Sequence, residues 1–157
     1  MDPSLFDELY EAYRRTGDTG SLHTLASLII GFEINEATLC TKEEEVVHLI
    51  NFMLGDYLST GDYQATWNAE MLIESVHFCG FEKLIDIMDA LVACNERAGD
   101  TYGVHDPTLK AMYALYHANP AYLNVFRERL YPIASDSIRW HLDQIFDDAS
   151  NAQAESS

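Results

Sequence analysis

The chain holds 157 residues, 48% of them apolar, which suits one domain with a real core and argues against wholesale disorder. Twenty-six acids stand against nine bases, a net charge of −17 that repels nucleic acid and anionic membrane and speeds encounter with basic partners. No apolar run approaches the length of a membrane span, and Met1-Asp2-Pro3-Ser4 lacks the basic and apolar regions of a signal peptide, so the expected place is the cytoplasm.

Taken in order, Asp2-Pro3 reads as a cap and first-turn proline. Leu5, Phe6, Leu9, Tyr10 and Tyr13 give that first helix an apolar stripe, and Gly17 ends it. Asp18-Thr19-Gly20 reads as a loop, and Ser21 as the cap of a second helix ending near Gly31. Residues 32–40 are less regular, with room for one helical turn. Three amphipathic helices then fill Thr41 to Arg97. Thr41-Lys42-Glu43-Glu44 fits a capping box, with Glu43 to Glu45 in the favoured first turn. Val46, Val47, Ile50, Met53, Leu54 and Tyr57 follow at helical spacing, and Ser59-Thr60-Gly61-Asp62 is a turn. A helix over Tyr63 to Cys79 stops at Gly80, and another runs from Glu82 to Arg97. Asp106-Pro107 signals a helix to about Asn119, with Leu109, Met112, Tyr113 and Tyr116 inward. Pro120 opens the next, Tyr131-Pro132 breaks it, and a last helix starts near Ser135, with Trp140 off its main stripe.

The predicted fold is therefore all-α: seven or eight amphipathic helices as antiparallel hairpins, in one domain over residues 1–147, with a polar, disordered tail at 148–157. Gly-Phe-Glu recurs at Gly31-Phe32-Glu33 and Gly80-Phe81-Glu82, each time after an apolar helix. The pattern resembles a short HEAT-type stack of helical hairpins, but no fixed period is visible, and a globular bundle fits equally. Cys40, Cys79 and Cys94 are odd in number and widely spaced, so buried reduced thiols are expected rather than a disulfide or a thiolate zinc site.

Few residues invite chemistry. Two Glu-x-x-His pairs, Glu45/His48 and Glu74/His77, have the spacing that di-metal carboxylate bundles use. Their helical phase points them away from the apolar stripes, so neither metal nor other cofactor is expected. His105-Asp106 has no nucleophile motif beside it, there is no phosphate-cradling glycine loop, and no enzyme activity is expected. Arg127, Arg129 and Arg139 are too few for nucleic-acid binding.

The outward row Tyr63, Trp67, Glu70, Glu74 and His77 is the more informative pattern. It is either an interface, with rings for buried contact and acids for pairing, or a stripe whose rings pack into the core. Size, charge, hairpin pattern and lack of catalytic motifs together resemble bacterial immunity proteins, which block a cognate toxin, often a nuclease with a basic groove. That resemblance implies occlusion of a basic protein partner. By helical phase the candidate contacts are Glu44, Glu45, Asp56, Tyr63, Trp67, Glu70, Glu74, Asp86 and Asp89. Reversing Glu70 and Glu74 to Lys is expected to leave folding intact and slow association. The alternatives are a phage-encoded nucleic-acid mimic that blocks a host nuclease, a di-metal protein on Glu45, His48, Glu74 and His77, and a plain scaffold whose charge serves solubility.

Overall fold

The computed structural model of the chain describes residues 3–98 and 104–156. Among these the regular structure is entirely helical, with no strand. The α-helices are α1 (Pro3–Thr16), α2 (Thr19–Ile30), α3 (Glu36–Leu39), α4 (Glu43–Thr60), α5 (Tyr63–Val76), α6 (Met88–Ala98), α7 (His105–Ala118), α8 (Leu123–Val125) and α9 (Asp136–Ser156). A 3-10 turn, His77–Cys79, extends α5, and another, Glu82–Ile87, leads into α6. The short α8 lies inside a longer helical stretch over residues 120–133 that also contains 3-10 and π turns.

These elements make four antiparallel hairpins: α1/α2, α4/α5, the 82–98 segment with α7, and the 120–133 stretch with α9. The first arms begin at residues 3, 43, 82 and 120, steps of 40, 39 and 38 (43−3, 82−43, 120−82). Contacts run between like arms. In one layer α4 packs on the 82–87 turn and α6, and α6 packs on the 126–133 segment. Lys42 and Asp7, 2.6 Å apart, tie α1 to the start of α4. In the other layer α2 packs on α5, α5 on α7, and α7 on α9. One apolar core runs between the layers, from Phe6 to Ala149. The period that the residue types conceal is thus plain in the packing, as in a helical-hairpin stack.

Several caps differ from expectation. Asp18 caps α2 by accepting from Gly20 N at 2.9 Å, so Thr19 and Gly20 are helical and Ser21 is not the cap. The Thr41 capping box does not form, because the Thr41 hydroxyl donates to the Thr38 carbonyl and Lys42 occupies the cap position. Glu43 and Glu44 reach instead to the next hairpin, where Glu43 Oε1 accepts from Lys83 N at 2.8 Å and Glu44 pairs with the Lys83 ammonium. Asp106 lies inside the first turn of α7 rather than capping it, while Asp2, Tyr102 and Gly103 fall outside the described residues. Between α4 and α5 the turn is as read. Gly61 takes a left-handed φ of 75°, and Asp62 caps α5 through Gln64 N at 2.9 Å. Helix α9 is described to Ser156, through the helix-favouring alanines 149, 152 and 154.

The cysteine expectation is overturned. Cys40 and Cys79 form a disulfide across Cα atoms 5.3 Å apart, and only Cys94 is a free, buried thiol among the described residues. Cys40 and Cys79 are 39 residues apart, one step of the stack, so equivalent positions in consecutive repeats meet. Separation along the chain had suggested the opposite. Burial raises the Cys94 thiol to about 12, and its S–H lies against the Leu54 carbonyl at 3.6 Å.

Candidate protein-docking face

Helix α5 is the hub of its layer, flanked by α2 and α3 on one side and α7 on the other. Ala65, Ala69, Leu72, Ile73 and Val76 are buried. Each large aliphatic among them gains about 1.5–3 kcal/mol by leaving water, so their shared face fixes the rotation of the helix. The opposite row is consequently turned outward: Tyr63 is 46% and Trp67 47% exposed, too open for core residues. Glu74 and His77 are exposed further along, with Glu70 half-buried between.

The carboxylates of this row are already engaged. Lys110, projecting from α7, lies 3.3 Å from Glu70 and hydrogen-bonds Glu74. Partial burial of Lys110 disfavours its charge, but the two carboxylates outweigh this and raise its pKa. At the end of the row His77 Nδ1 donates to the Glu74 carbonyl at 2.6 Å, the role a carbonyl partner imposes. Phe78 packs edge-on against His77, and Tyr113 of α7 lies across from it, 53% exposed. Tyr113 was expected inward. Leu115, Met112, Ala111 and Ala114 fill the core side of α7 and leave it no room there.

Beyond His77 the surface dips into a groove of about 380 Å³, bounded by the end of α2, by α3 and by the end of α5. Its walls include Ile29, Ile34, Leu39 and Met71, and Phe32 and Phe78 stand at its edge. Phe32 is 82% exposed and holds a left-handed φ of 61°. It occupies the C′ position of a Schellman end to α2, where Phe32 N donates to Ile29 O and Glu33 N to Leu28 O. That position normally belongs to glycine, and Gly31 sits one residue too early to fill it.

The remaining candidates lie elsewhere. Glu44 and Asp86 belong to the other layer, beside a cleft of about 300 Å³ that His48, Asn51 and Lys83 also line. The hydrogen bond from Lys83 lowers the pKa of Glu44. Asp89 pairs with Arg129 at 2.5 Å, and Asp56 lies 3.7 Å from His23 of α2. Glu45 and Asp86 have no ion pair among the described residues. The nine expected contacts therefore do not form one face: Tyr63, Trp67, Glu70 and Glu74 share the α5 row, whereas Glu44, Glu45 and Asp56 lie on α4 and Asp86 and Asp89 on the 82–98 segment. The Glu-x-x-His pairs do not converge either. His48 lies 3.3 Å from the Tyr13 hydroxyl on α1, whereas Glu74 and His77 face α7. Among the described residues no three potential metal ligands gather.

Residue reading missed Phe32, Phe78, Lys110 and Tyr113 as members of this face. Gly31 looked like the helix stop, which hid Phe32, and the partner of Glu70 and Glu74 is Lys110 of α7, 36 residues beyond Glu74. No family model, curated protein or solved structure matches this chain.

Proposed function

We propose that the chain is a binding protein that neutralises a basic protein partner, docking it on the outward face of α5. The supporting observation is the half-exposed Tyr63–Trp67 pair, set in a chain of net charge −17. The half-exposed rings offer buried contact, and the overall negative field speeds encounter with a basic partner. The finer reading is an immunity-type protein occluding a nuclease-type toxin. A phosphate mimic suits the structure less well, because Glu44, Glu70, Glu74 and Asp89 already hold protein cations. No helix among the described residues is long and apolar enough to cross a membrane. In a reducing cytoplasm the Cys40–Cys79 pair would stand as two adjacent thiols, since such disulfides persist in oxidising surroundings.

The test is capture from a lysate of the native host at low and high salt, comparing the wild type with Tyr63→Ala/Trp67→Ala. A basic protein, above all a nuclease, that the wild type retains, salt releases and the double variant loses is the expected result. Equal capture by the two chains would remove the α5 face as the site. Reversal of Glu70 and Glu74 is a poorer probe than it looked in the sequence, because it would leave Lys110 facing two further lysines.

A further inference from the structure

We propose that the groove between the end of α2, α3 and the end of α5 seats an apolar side chain of a Lys/Arg-rich partner segment. The proposal rests on the basic-partner reading and names the seat within it.

Four observations converge there. The groove, of about 380 Å³, has Met71, Phe32 and Phe78 as its accessible apolar lining over the buried Ile29, Ile34 and Leu39, with Glu36, Glu74, Ser75 and His77 completing it. Large apolar side chains prefer burial, yet Phe32 and Phe78 stand exposed at its edge. Phe32 does so from a left-handed backbone that glycine would hold without strain. Strain kept at an exposed aromatic is the kind that local stability alone would remove. The charge around the groove selects the occupant. Glu33 and Glu36 are exposed beside it and carry no ion pair among the described residues, whereas Glu74 is held by Lys110. A second copy of this chain would bring another −17 to the contact, so a cationic segment is the fitting partner. Finally, the disulfide joins the two walls: Cys40 follows Leu39, and Cys79 follows Phe78. With the disulfide formed, the groove is fixed before anything enters it, which lowers the ordering cost of binding.

The experiment titrates the full chain with two lysine-rich helical peptides of equal charge. One carries two leucines a turn apart, and the other has serines in their place. Binding is read from amide chemical shifts. The leucine peptide is expected to bind about tenfold tighter. Its shifts should fall within residues 29–39 and 71–78. Phe32→Gly, confirmed as folded by its thermal transition, should lose most of that preference, and so should the Cys40→Ser/Cys79→Ser chain. Equal binding of the two peptides, shifts spread over the whole acidic surface, or no binding of either would overturn the proposal. Equal binding would leave the basic-partner reading standing. That reading fails separately, through the Tyr63/Trp67 capture.

Discussion

Phe32 and Phe81 occupy the same place in the same tripeptide and end in opposite environments. After α5 it is Gly80 that takes the left-handed turn, at φ 70°, and Phe81 is buried. After α2 the helix reaches one residue further into the motif, and Phe32 takes both the turn and the exposure. Left-handed backbone costs an L residue roughly 1–2 kcal/mol. Phe32→Gly relieves that cost and gives back part of it through a more flexible unfolded chain. The net expectation is a stabilisation of about 0.5–1 kcal/mol, or roughly 2 °C in Tm for a chain of this size. A fall in Tm would show that the Phe32 ring contributes more to folding than its exposure suggests. Cys94 offers a second check. With its thiol buried and raised to about 12, it should resist alkylation at pH 8 in the native protein and react once unfolded. At this scale the sequence was legible where one residue has one clear role, as with Gly17 and Gly61, both at left-handed φ just past a helix end. It was not legible for Phe32 or Tyr113, where a shift of one residue or the packing of a neighbouring helix decides the outcome.

Side chains add ties between consecutive hairpins beyond the packing of like arms. Lys42 reaches Asp7, Lys83 reaches Glu44, Lys110 reaches Glu70 and Glu74, and Arg129 reaches Asp89, always from a later hairpin to the one before. Arg97 does the same for the last turn of α4, donating to the Leu58 carbonyl and lying over the Tyr57 ring. Such exposed pairs contribute little each, commonly below about 1 kcal/mol. The Cys40–Cys79 link is the stronger tie. It closes a loop with 39 residues of separation, and chain entropy assigns such a loop roughly 2–4 kcal/mol. Reduction, or Cys40→Ala/Cys79→Ala, should therefore lower unfolding free energy by about that amount while the helical signal in the far ultraviolet persists, because the core does not pass through the bond. A loss below roughly 0.5 kcal/mol would mean that the unfolded chain is already held compact there. Element existence was legible from periodicity in nearly every case. These ties were not, since each depends on which helix lies beside which, and nothing local to Cys40 or Lys110 encodes that.

For the whole molecule the decisive quantity is the ratio of twenty-six acids to nine bases. The sequence shows the imbalance but not its arrangement. In the structure five of the nine bases, Lys42, Lys83, Arg97, Lys110 and Arg129, bridge consecutive hairpins, and the surplus of negative charge is left to repel itself and to attract a partner. The same repeat that was invisible in residue types appears as a step of 38 to 40 residues in the first arms, because packing tolerates many apolar side chains at equivalent positions. Salt then acts in two directions. Screening weakens the inter-hairpin pairs, which are short-range, and relieves a long-range repulsion that involves every unpaired acid. At about 0.01 M the Debye length is roughly 30 Å and reaches across much of the molecule, whereas near 0.15 M it falls to about 8 Å. Repulsion should dominate, so Tm is expected to rise between those two concentrations, by roughly 2–4 °C for each kcal/mol of repulsion relieved. If Tm falls instead, the few cationic ties outweigh the field of the whole chain. Steering of a basic partner by that field would then be weaker than the proposed function requires.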